Sequence, residues 1–312
     1  MEAIRVAFSG VFPLTIYLLS GVLVRKMNWM TASSLNQLNR LMFRLFLPLM
    51  LFINIVNSQL ESSISLKLLL FPSIAISITF LIAWFAYARS SYQHDQKGVM
   101  IQGAFRSNYV LFGIPLTTTI IGGQSTGITE ILIAIVIPLF NVLAVIALSA
   151  FSEEKMDIKK VVKNIVTNPL IIASILGIVV KFSGLNIPQL LLNPLAALGR
   201  TASPLALLVL GSQFQFSDTK ALIKPLAIGT LVRLFIVPAI WLSAAIAIGI
   251  RGEPLITYLS LFGSPVAVSS YTMASQMGAD DTLAGQLLVY TTILSILSLF
   301  IGIALLKNFN FF

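Results

Sequence analysis

The chain has 312 residues, of which 57% are hydrophobic and 10% charged, and its mean hydropathy is +0.95. Because a soluble domain is normally about a quarter charged, this composition predicts an integral membrane protein. The net charge of +9 does not indicate nucleic-acid binding, since the basic residues lie mainly in short segments between apolar stretches. The chain has no cysteine and a single histidine, His94, so thiolate chemistry is excluded and neither a metal site nor a cofactor is expected.

Ten apolar stretches follow one another along the chain, each about as long as a helix that crosses a bilayer core. We number them spans 1 to 10; their approximate limits are 6–24, 38–57, 66–88, 98–121, 128–151, 164–182, 189–212, 221–249, 255–277 and 283–306. The predicted fold class is an all-α integral membrane protein with ten transmembrane helices. Its predicted units are a first five-helix repeat (1–151), a cytoplasmic connector (152–164) and a second five-helix repeat (165–312).

Lysine and arginine are distributed unequally between the two sides of these spans. Ten lie on the side of the connectors that follow spans 1, 3, 5 and 7, and five lie on the other side. Cytoplasmic connectors carry the excess of basic residues. The distribution therefore predicts that both termini lie outside the cytoplasm.

Segments of the second half repeat patterns of the first. The first pair, PLTIYLLSGVLVRK from Pro13 and PLIIASILGIVVKF from Pro169, lies at an offset of 156 residues. Three more pairs follow in order: Arg44-x-x-x-Pro48 with Arg200-x-x-x-Pro204, Lys67…Pro72 with Lys220…Pro225, and LFGIP from Leu111 with LFGSP from Leu261. Each unit has an odd number of spans, so a duplicated second unit enters the membrane from the opposite side. The pattern predicts an inverted repeat, an architecture typical of secondary transporters.

The last pair lies inside spans 4 and 9, where glycine and proline are poor helix formers. We predict that span 4 breaks near Gly113 and Pro115, and span 9 near Gly263, Ser264 and Pro265. Each span then forms two half-helices that meet near mid-bilayer, with proline starting the second half and Ser264 capping its half-helix. Half-helix N-termini carry partial positive charge and suit anions. The alternative is a pair of proline kinks that serve only packing.

Polar side chains accompany both predicted breaks. Arg106 and Asn108 lie within span 4, and Ser269, Ser270 and Tyr271 lie within span 9. A buried arginine is costly in a membrane and usually faces a cavity or a partner. Since no carboxylate lies where a cation site at the breaks would need one, the buried charge favours an anionic ligand. Two further isolated polar residues within the spans are Asn54 and Asn141.

Several other charged residues allow two interpretations. Arg40 and Arg44 are placed to reach the membrane interface with their side chains. Arg200 and Arg233 fit either structural pairing or a ligand path. The pair Asp280–Asp281 is expected to end span 9 in a connector, with gating or a proton relay as the alternative.

Three segments resemble the auxin efflux carrier family, in particular its bacterial permease members: LNRLMFRLFLPLMLFINI in span 2, GAFRSNYVLFGIPL in span 4 and SPVAVSSYTMASQMGAD in span 9. The family is similar in fold to bile acid sodium symporters and includes plant auxin exporters. The resemblance implies two inverted five-helix repeats, a scaffold domain, a transport domain, and broken spans 4 and 9 that cross at the substrate site. It also implies an organic-anion substrate and a homodimer.

The residue patterns and the resemblance together predict a substrate site at this crossover. Its predicted residues are Arg106, Asn108, Gly113, Pro115, Gly263, Ser264, Pro265, Ser269, Ser270 and Tyr271. The carboxylates that bile acid symporters use to bind sodium are not found at the crossover, which argues against sodium coupling.

These features predict a permease, a secondary active transporter of small organic anions such as carboxylates, in the inner membrane of a bacterium. Alternating access around the crossover is the expected mechanism, and proton coupling is left open. An enzyme is not expected, because no nucleophile lies beside a base. The alternatives are a sodium-coupled symporter of the same fold and a membrane receptor that binds its ligand without moving it.

Overall fold

The computed structural model describes residues 2–57, 65–121, 127–151, 159, 163, 166–185, 187–213 and 219–312. All regular elements within these residues are helices. In chain order they are α1 (Glu2–Lys26), α2 (Ala32–Asn57), α3 (Leu66–Ala88), α4 (His94–Phe105), α5 (109–121), α6 (Gly127–Ala150), α7 (Pro169–Ser183), α8 (Gln189–Gln213), α9 (219–247), α10 (Gly252–Gly263), α11 (Val268–Gln276) and α12 (Asp281–Asn308). Three of them contain a π-helical turn: α2 at Met42–Phe46, α5 at Tyr109–Gly113 and α9 at Val232–Ile236.

Every predicted span coincides with one helix or, for spans 4 and 9, with a pair of half-helices. Among the described residues, four helices are long and apolar enough to cross a membrane: Ala32–Asn57, Leu66–Ala88, Leu222–Ala247 and Asp281–Asn308. Large apolar side chains are exposed along their outer faces, as contact with lipid requires. The protein is therefore an all-helical membrane protein. The predicted connector at 152–164 lies outside the described residues except for positions 159 and 163.

Small residues allow the helices of spans 1, 2, 6 and 7 to pack closely. Gly21 of α1 meets α8 where an added Cβ would overlap the carbonyl oxygen of Leu208. Gly211 of α8 meets the backbone of α1 in the same way, and Gly177 of α7 packs on Ile55 of α2. Such close approach is what holds helices together in a bilayer, where burying apolar surface gives little advantage.

Two basic side chains reach the ends of helices in this group. The Arg25 guanidinium donates to the Ser212 carbonyl oxygen at the end of α8 (3.2 Å). The Lys181 ammonium donates to the Val56 carbonyl oxygen at the end of α2 (3.2 Å). Positive groups stabilise helix C-termini because the last carbonyls lack intrahelical partners. The two donors, and likewise the two acceptors, are separated by 156 residues, the offset of the repeated sequence.

The remaining helices form a second group, in which the two halves of the chain interdigitate. α3 packs on α4 and α6, and α9 to α12 pack on one another. α3 also contacts the second half directly, since Trp241 Nε1 donates to Thr79 Oγ1 (2.7 Å) and the Tyr258 hydroxyl donates to the Leu68 carbonyl oxygen (2.6 Å). Phe71 of α3 stacks on the Tyr258 ring, with 5.4 Å between centroids. The breaks of spans 4 and 9 lie inside this group.

Span 9 breaks where the sequence predicts, because α10 ends at Gly263 and α11 begins at Val268. The prediction that Pro265 starts the second half-helix is wrong, since Pro265 lies in the extended link between the two halves. The predicted capping by Ser264 is also wrong. Its hydroxyl donates back to the Ser260 carbonyl oxygen in α10, because the chain leaves that helix at Ser264.

Span 4 breaks earlier than the sequence predicts. α4 ends at Phe105, the link 106–108 is extended, and α5 begins at Tyr109. Gly113 and Pro115 lie within α5, where a π-helical turn interrupts the regular pairing that a proline would otherwise disrupt. The prediction of a break at Gly113 and Pro115 is therefore wrong. The observed break at 106–108 is held by contacts with span 9 and does not follow from local helix propensity.

The segments LFGIP and LFGSP consequently do not occupy equivalent positions in the fold. Gly113 follows the break of span 4, whereas Gly263 precedes the break of span 9. The residues that pair across the two breaks are Ser107 and Val266. The fourth sequence match therefore does not mark residues at equivalent positions relative to the breaks.

Candidate functional site

The extended links of spans 4 and 9 cross as a short antiparallel β-bridge. The Asn108 amide donates to the Pro265 carbonyl oxygen (2.8 Å), and the Ala267 amide donates to the Arg106 carbonyl oxygen (3.3 Å). Backbone polar groups inside a membrane protein need such partners, because lipid offers none. The bridge fixes the relative positions of four half-helix ends.

Arg106 carries a positive charge into this crossing, where its side chain is 3% exposed. Its Nη2 donates to Asn141 Oδ1 (2.6 Å) and to Ser269 Oγ (2.8 Å), and its Nη1 contacts Met273 Sδ (2.6 Å). These partners are neutral, so they orient the guanidinium without offsetting its charge. A buried cation with neutral contacts attracts an anion strongly, since little solvent screens it.

Arg106 is one of the residues that line a cavity of about 40 Å³, a volume that holds a few water molecules. One wall carries all the polar lining residues together with several apolar ones, and it consists of the links of spans 4 and 9, the starts of the half-helices that follow them, and α6. We call it the polar wall. The other wall is mainly apolar and comes from α2 and α7. The lining residues are Leu47, Met50, Leu51, Arg106, Ser107, Asn108, Tyr109, Val110, Ile137, Phe140, Asn141, Leu170, Ala267, Val268 and Ser269.

Two of the lining residues each have a polar side-chain atom, Ser107 Oγ and Asn141 Nδ2, with no hydrogen-bond partner within the described part of the chain. Both residues are buried. An unpaired buried polar group costs about 1–3 kcal/mol, so such groups are normally satisfied by water or a ligand. Both atoms are able to donate a hydrogen bond, as the Arg106 guanidinium does. The three donor groups together fit an anion.

The N-termini of α5 and α11 also reach the cavity. Tyr109 and Val110 of the first turn of α5 line it, as do Val268 and Ser269 of the first turn of α11. The first amides of a helix have no intrahelical partner and carry partial positive charge. The two termini therefore add to the field of the Arg106 guanidinium.

Three of the predicted site residues, Arg106, Asn108 and Ser269, line the cavity. The others are not among its lining residues and lie in the links or in the half-helices; those with described side chains are Gly113, Gly263, Ser264, Pro265, Ser270 and Tyr271. The side chain of Pro115 lies outside the described residues. The predicted set is thus divided between residues that line the cavity and residues elsewhere in the links and half-helices.

Sequence reasoning missed Ser107 and Asn141 as site residues. Asn141 is recognisable as an isolated polar residue within span 5, but no spacing rule shows that it contacts Arg106, which lies 35 residues earlier. Ser107 lies between two predicted site residues in a segment expected to be helical, where neighbouring side chains point in different directions. Only the extended link turns Ser107 and Asn108 to the same cavity.

The other arginines within the spans differ from Arg106. Arg40, Arg44 and Arg200 are exposed. Arg233 is buried and donates to backbone carbonyl oxygens at the ends of α4 and α10. Of the two interpretations that the sequence allows for Arg233, structural pairing is therefore the one observed.

Asp280 lies in the connector after span 9 and caps α12. Its Oδ1 accepts from the Leu283 amide (2.8 Å) and its Oδ2 accepts from Gln96 Nε2 (3.1 Å). Burial raises the pKa of the Asp280 carboxyl, and the nearby carboxylates of Asp95 and Asp281 act in the same direction, while the two hydrogen bonds oppose them. Asp280 thus ties the start of α12 to the start of α4.

Among the described residues, no group of three or more acidic or histidine side chains is placed to hold a metal ion.

Comparisons with known proteins identify the family of the chain. A comparison with curated protein sequences gave no match. Residues 6–303 match the family model described as Membrane transport protein, which covers nearly the whole chain and confirms the resemblance of spans 2, 4 and 9. The crossing described above is accordingly part of a transporter and not of an enzyme, and the chain belongs to the membrane transport protein family, that of the auxin efflux carriers.

Proposed function

We propose that the protein is a permease that moves small organic anions, such as carboxylates, by alternating access around the crossing of spans 4 and 9. The observation that carries this proposal is the buried Arg106 guanidinium, whose hydrogen-bond partners are neutral. Since these contacts within the described part of the chain do not neutralise its charge, we expect the ligand to carry the opposite charge and to be an anion. The family supports the transport function, and the cavity supports the class of substrate.

The substrate carboxylate binds the Arg106 guanidinium in this proposal. Ser107 Oγ and Asn141 Nδ2 donate to it as well, since both are buried donors without a partner among the described residues. Asn108 and Ser269 complete the polar wall of the cavity. Arginine suits this task because its planar group is able to bind both oxygens of a carboxylate. Of the remaining predicted residues, Gly263, Ser264 and Pro265 shape the crossing, since they form the end of α10 and the link of span 9.

Alternating access follows from the two groups of helices that form the cavity. Leu47, Met50 and Leu51 of α2 and Leu170 of α7 belong to the group of spans 1, 2, 6 and 7. The polar wall belongs to the other group. Sliding or rotation of one group against the other exposes the polar wall first to one side of the membrane and then to the other.

The architecture we propose has ten spans in two inverted repeats, 1–151 and 165–312, joined by a connector in the cytoplasm. Support comes from the contacts of Arg25 with Ser212 and of Lys181 with Val56, which have the offset of the repeated sequence. The excess of basic residues on one side supports termini outside the cytoplasm. By resemblance to the family, we place the protein in a bacterial inner membrane as a homodimer.

The test is uptake of labelled monocarboxylates and dicarboxylates into proteoliposomes, without sodium and with or without a pH gradient. Arg106→Met removes the charge and keeps an apolar side chain of similar length. We expect its uptake to fall about a hundredfold or more, because a buried ligand carboxylate is left without its counter-charge. The matched control is Arg200→Met, which removes an exposed arginine and should retain uptake.

Three outcomes would contradict this proposal. Uptake that survives in the Arg106→Met variant removes the assigned site. Uptake that requires sodium, and is lost when choline replaces it, favours a sodium-coupled symporter. Binding of an acid by the purified protein without uptake favours a receptor. Uptake that rises with the pH gradient would add proton coupling to the proposal.

A further inference from the structure

Arg233 is the most deeply buried arginine among those in the spans, with 1% of its side chain exposed. It lies in the π-helical turn of α9, Val232–Ile236. π-Helical turns within α-helices are frequent at functional positions, since they shift the direction of one side chain relative to the rest of the helix. Arg233 does not line the cavity beside Arg106. Its role must therefore differ from contact with the substrate.

All three guanidinium nitrogens of Arg233 donate to backbone carbonyl oxygens at the crossing. Nη1 donates to Ala104 (3.2 Å) and Phe105 (3.3 Å), the last residues of α4. Nη2 donates to Leu261 (3.1 Å) and Phe262 (3.0 Å), near the end of α10. Nε donates to the carbonyl oxygen of Ser264, the first residue in the link of span 9 (2.9 Å). One side chain thus serves the C-terminal ends of both half-helices.

These carbonyl groups are of the kind that binds cations in transporters with broken helices. The last carbonyls of a helix lack intrahelical partners and carry partial negative charge. In several transporter folds, half-helix C-termini and unwound carbonyls coordinate the coupling cation. At this crossing the same groups surround the guanidinium of Arg233.

We infer that Arg233 is the resident cation of the crossing: a positioning residue whose guanidinium neutralises both half-helix C-termini and holds the two breaks together, in place of a dissociable metal cation. The negative ends of α4 and α10 are then occupied by a tethered charge. The first turns of α5 and α11, with their partial positive charge, and Arg106 all line the cavity. The crossing therefore presents a positive face to its ligand without binding a free cation.

The repeated sequence supplies only one such residue. When Lys67…Pro72 is aligned with Lys220…Pro225, Phe80 of α3 is the residue that corresponds to Arg233 of α9. Phe80 packs edge-on against Phe105, with 5.6 Å between ring centroids. Since an aromatic ring cannot satisfy carbonyl oxygens, Arg233 is the side chain that serves both halves of the crossing among the described residues.

The experiment compares hydrogen exchange at both breaks in the purified, full-length protein, so it needs no known substrate. Arg233→Ala removes the guanidinium, and Arg200→Ala removes an exposed arginine as the control. The amides of Asn108 and Ala267, which form the bridge, are the reporters. We expect exchange about tenfold faster or more at both breaks of Arg233→Ala and unchanged exchange in the control, because several buried carbonyls lose their partners.

Guanidinium ion at a low, non-denaturing concentration tests whether the charge itself is responsible. We expect it to slow exchange at both breaks of the Arg233→Ala variant, and choline to have no effect. Arg233→Lys, which keeps the charge but has a shorter reach to the carbonyls, should lie between the wild type and Arg233→Ala. This variant also serves if Arg233→Ala does not fold.

Exchange that stays at the wild-type rate in Arg233→Ala, or that increases in α9 alone, would overturn the inference. Equal exchange rates in Arg233→Lys and in the neutral variant Arg233→Met would also overturn it. A folded Arg233→Ala protein whose exchange guanidinium does not slow would overturn it as well. These readouts do not depend on transport. If the substrate class proposed above is wrong, the exchange rates at the two breaks stay as expected here. A failure of the proposed function is therefore distinguishable from a failure of this inference.

Discussion

The environment of Arg106 decides how its charge is used. A buried arginine paired with a carboxylate would be a structural ion pair, whereas Asn141 and Ser269 satisfy its geometry and leave its charge available. Ser107 Oγ and Asn141 Nδ2 add donors that the described residues do not satisfy. The chemistry of the site therefore depends on neutral residues as much as on the cation.

Asn141→Asp should strongly reduce transport while the protein still folds. The new carboxylate would lie where Asn141 Oδ1 accepts from Arg106 Nη2 at 2.6 Å, so it would pair with the guanidinium and compete with the substrate. We expect uptake of transported acids by proteoliposomes to fall at least about tenfold. Asn168→Asp is the matched control, because Asn168 is a buried helix cap at α7 and aspartate caps equally well. Retained uptake in Asn141→Asp would contradict the assignment.

Asp280 should make the stability of the protein depend on pH. Because burial raises the folded-state pKa above the ordinary value of 3.8, the folded protein binds the proton more tightly than the unfolded chain. The resulting stability is present at low pH and is lost as the pH rises from about 3.8 through the raised pKa. Asp280→Asn keeps the cap on α12 and removes this titration.

Melting temperatures of the detergent-solubilised protein, measured across this pH range, provide the test. We expect the wild type to lose stability relative to Asp280→Asn as the pH rises. Equal pH dependence of the two proteins would show that the Asp280 carboxyl does not titrate differently in the folded state.

At the scale of the elements, the sequence predicts most of the helices but not the position of every break. Long apolar stretches indicate membrane helices because length and hydropathy are sufficient signals. The break of span 9 coincides with a local Gly-Ser-Pro signal, so it is predicted correctly at Gly263. The break of span 4 carries no such signal. It is fixed by the bonds of Arg106 and Asn108 to residues far along the chain, which spacing cannot reveal.

The two prolines of spans 4 and 9 should therefore differ when replaced. Pro265→Ala allows α10 to continue into the link, because the residue before a proline is no longer kept from helical angles. We expect it to reduce uptake about tenfold and to lower the melting temperature. Pro115→Ala lies within α5, where alanine is the better helix former, so we expect uptake within about twofold of the wild type. The reverse order of effects would mean that Pro115 has a role at the crossing.

At the scale of the whole molecule, two groups of helices both contribute to the small cavity lined by Arg106. Spans 1, 2, 6 and 7 pack through glycines, whereas the other spans share a dense network of hydrogen bonds between the two halves of the chain. Composition and resemblance are able to predict a transporter with such a division. They cannot predict which side chains from α2 and α7 face the crossing, because that depends on how the groups pack.

Gly211→Ala tests the close packing of α8 on α1. The added Cβ would overlap the backbone of α1 at Leu18, so we expect a loss of about 1–3 kcal/mol and a lower melting temperature in detergent. Gly103→Ala is the control, because a Cβ there would meet the Leu287 side chain at an ordinary distance of 3.6 Å. The packing argument fails if both variants melt at the wild-type temperature.

The bonds between the two halves at the crossing also determine when the protein is able to mature during synthesis. The carbonyl groups of Ala104 and Phe105 enter the membrane long before Arg233 is made, and the Asn108 amide enters before Pro265. At about 5–20 residues per second, ribosomes need several seconds or more to supply these partners. Meanwhile, span 4 holds unpaired polar groups that lipid does not satisfy. A truncated chain that ends before α9 should therefore remain a client of insertion factors and be degraded, however hydrophobic its first spans are.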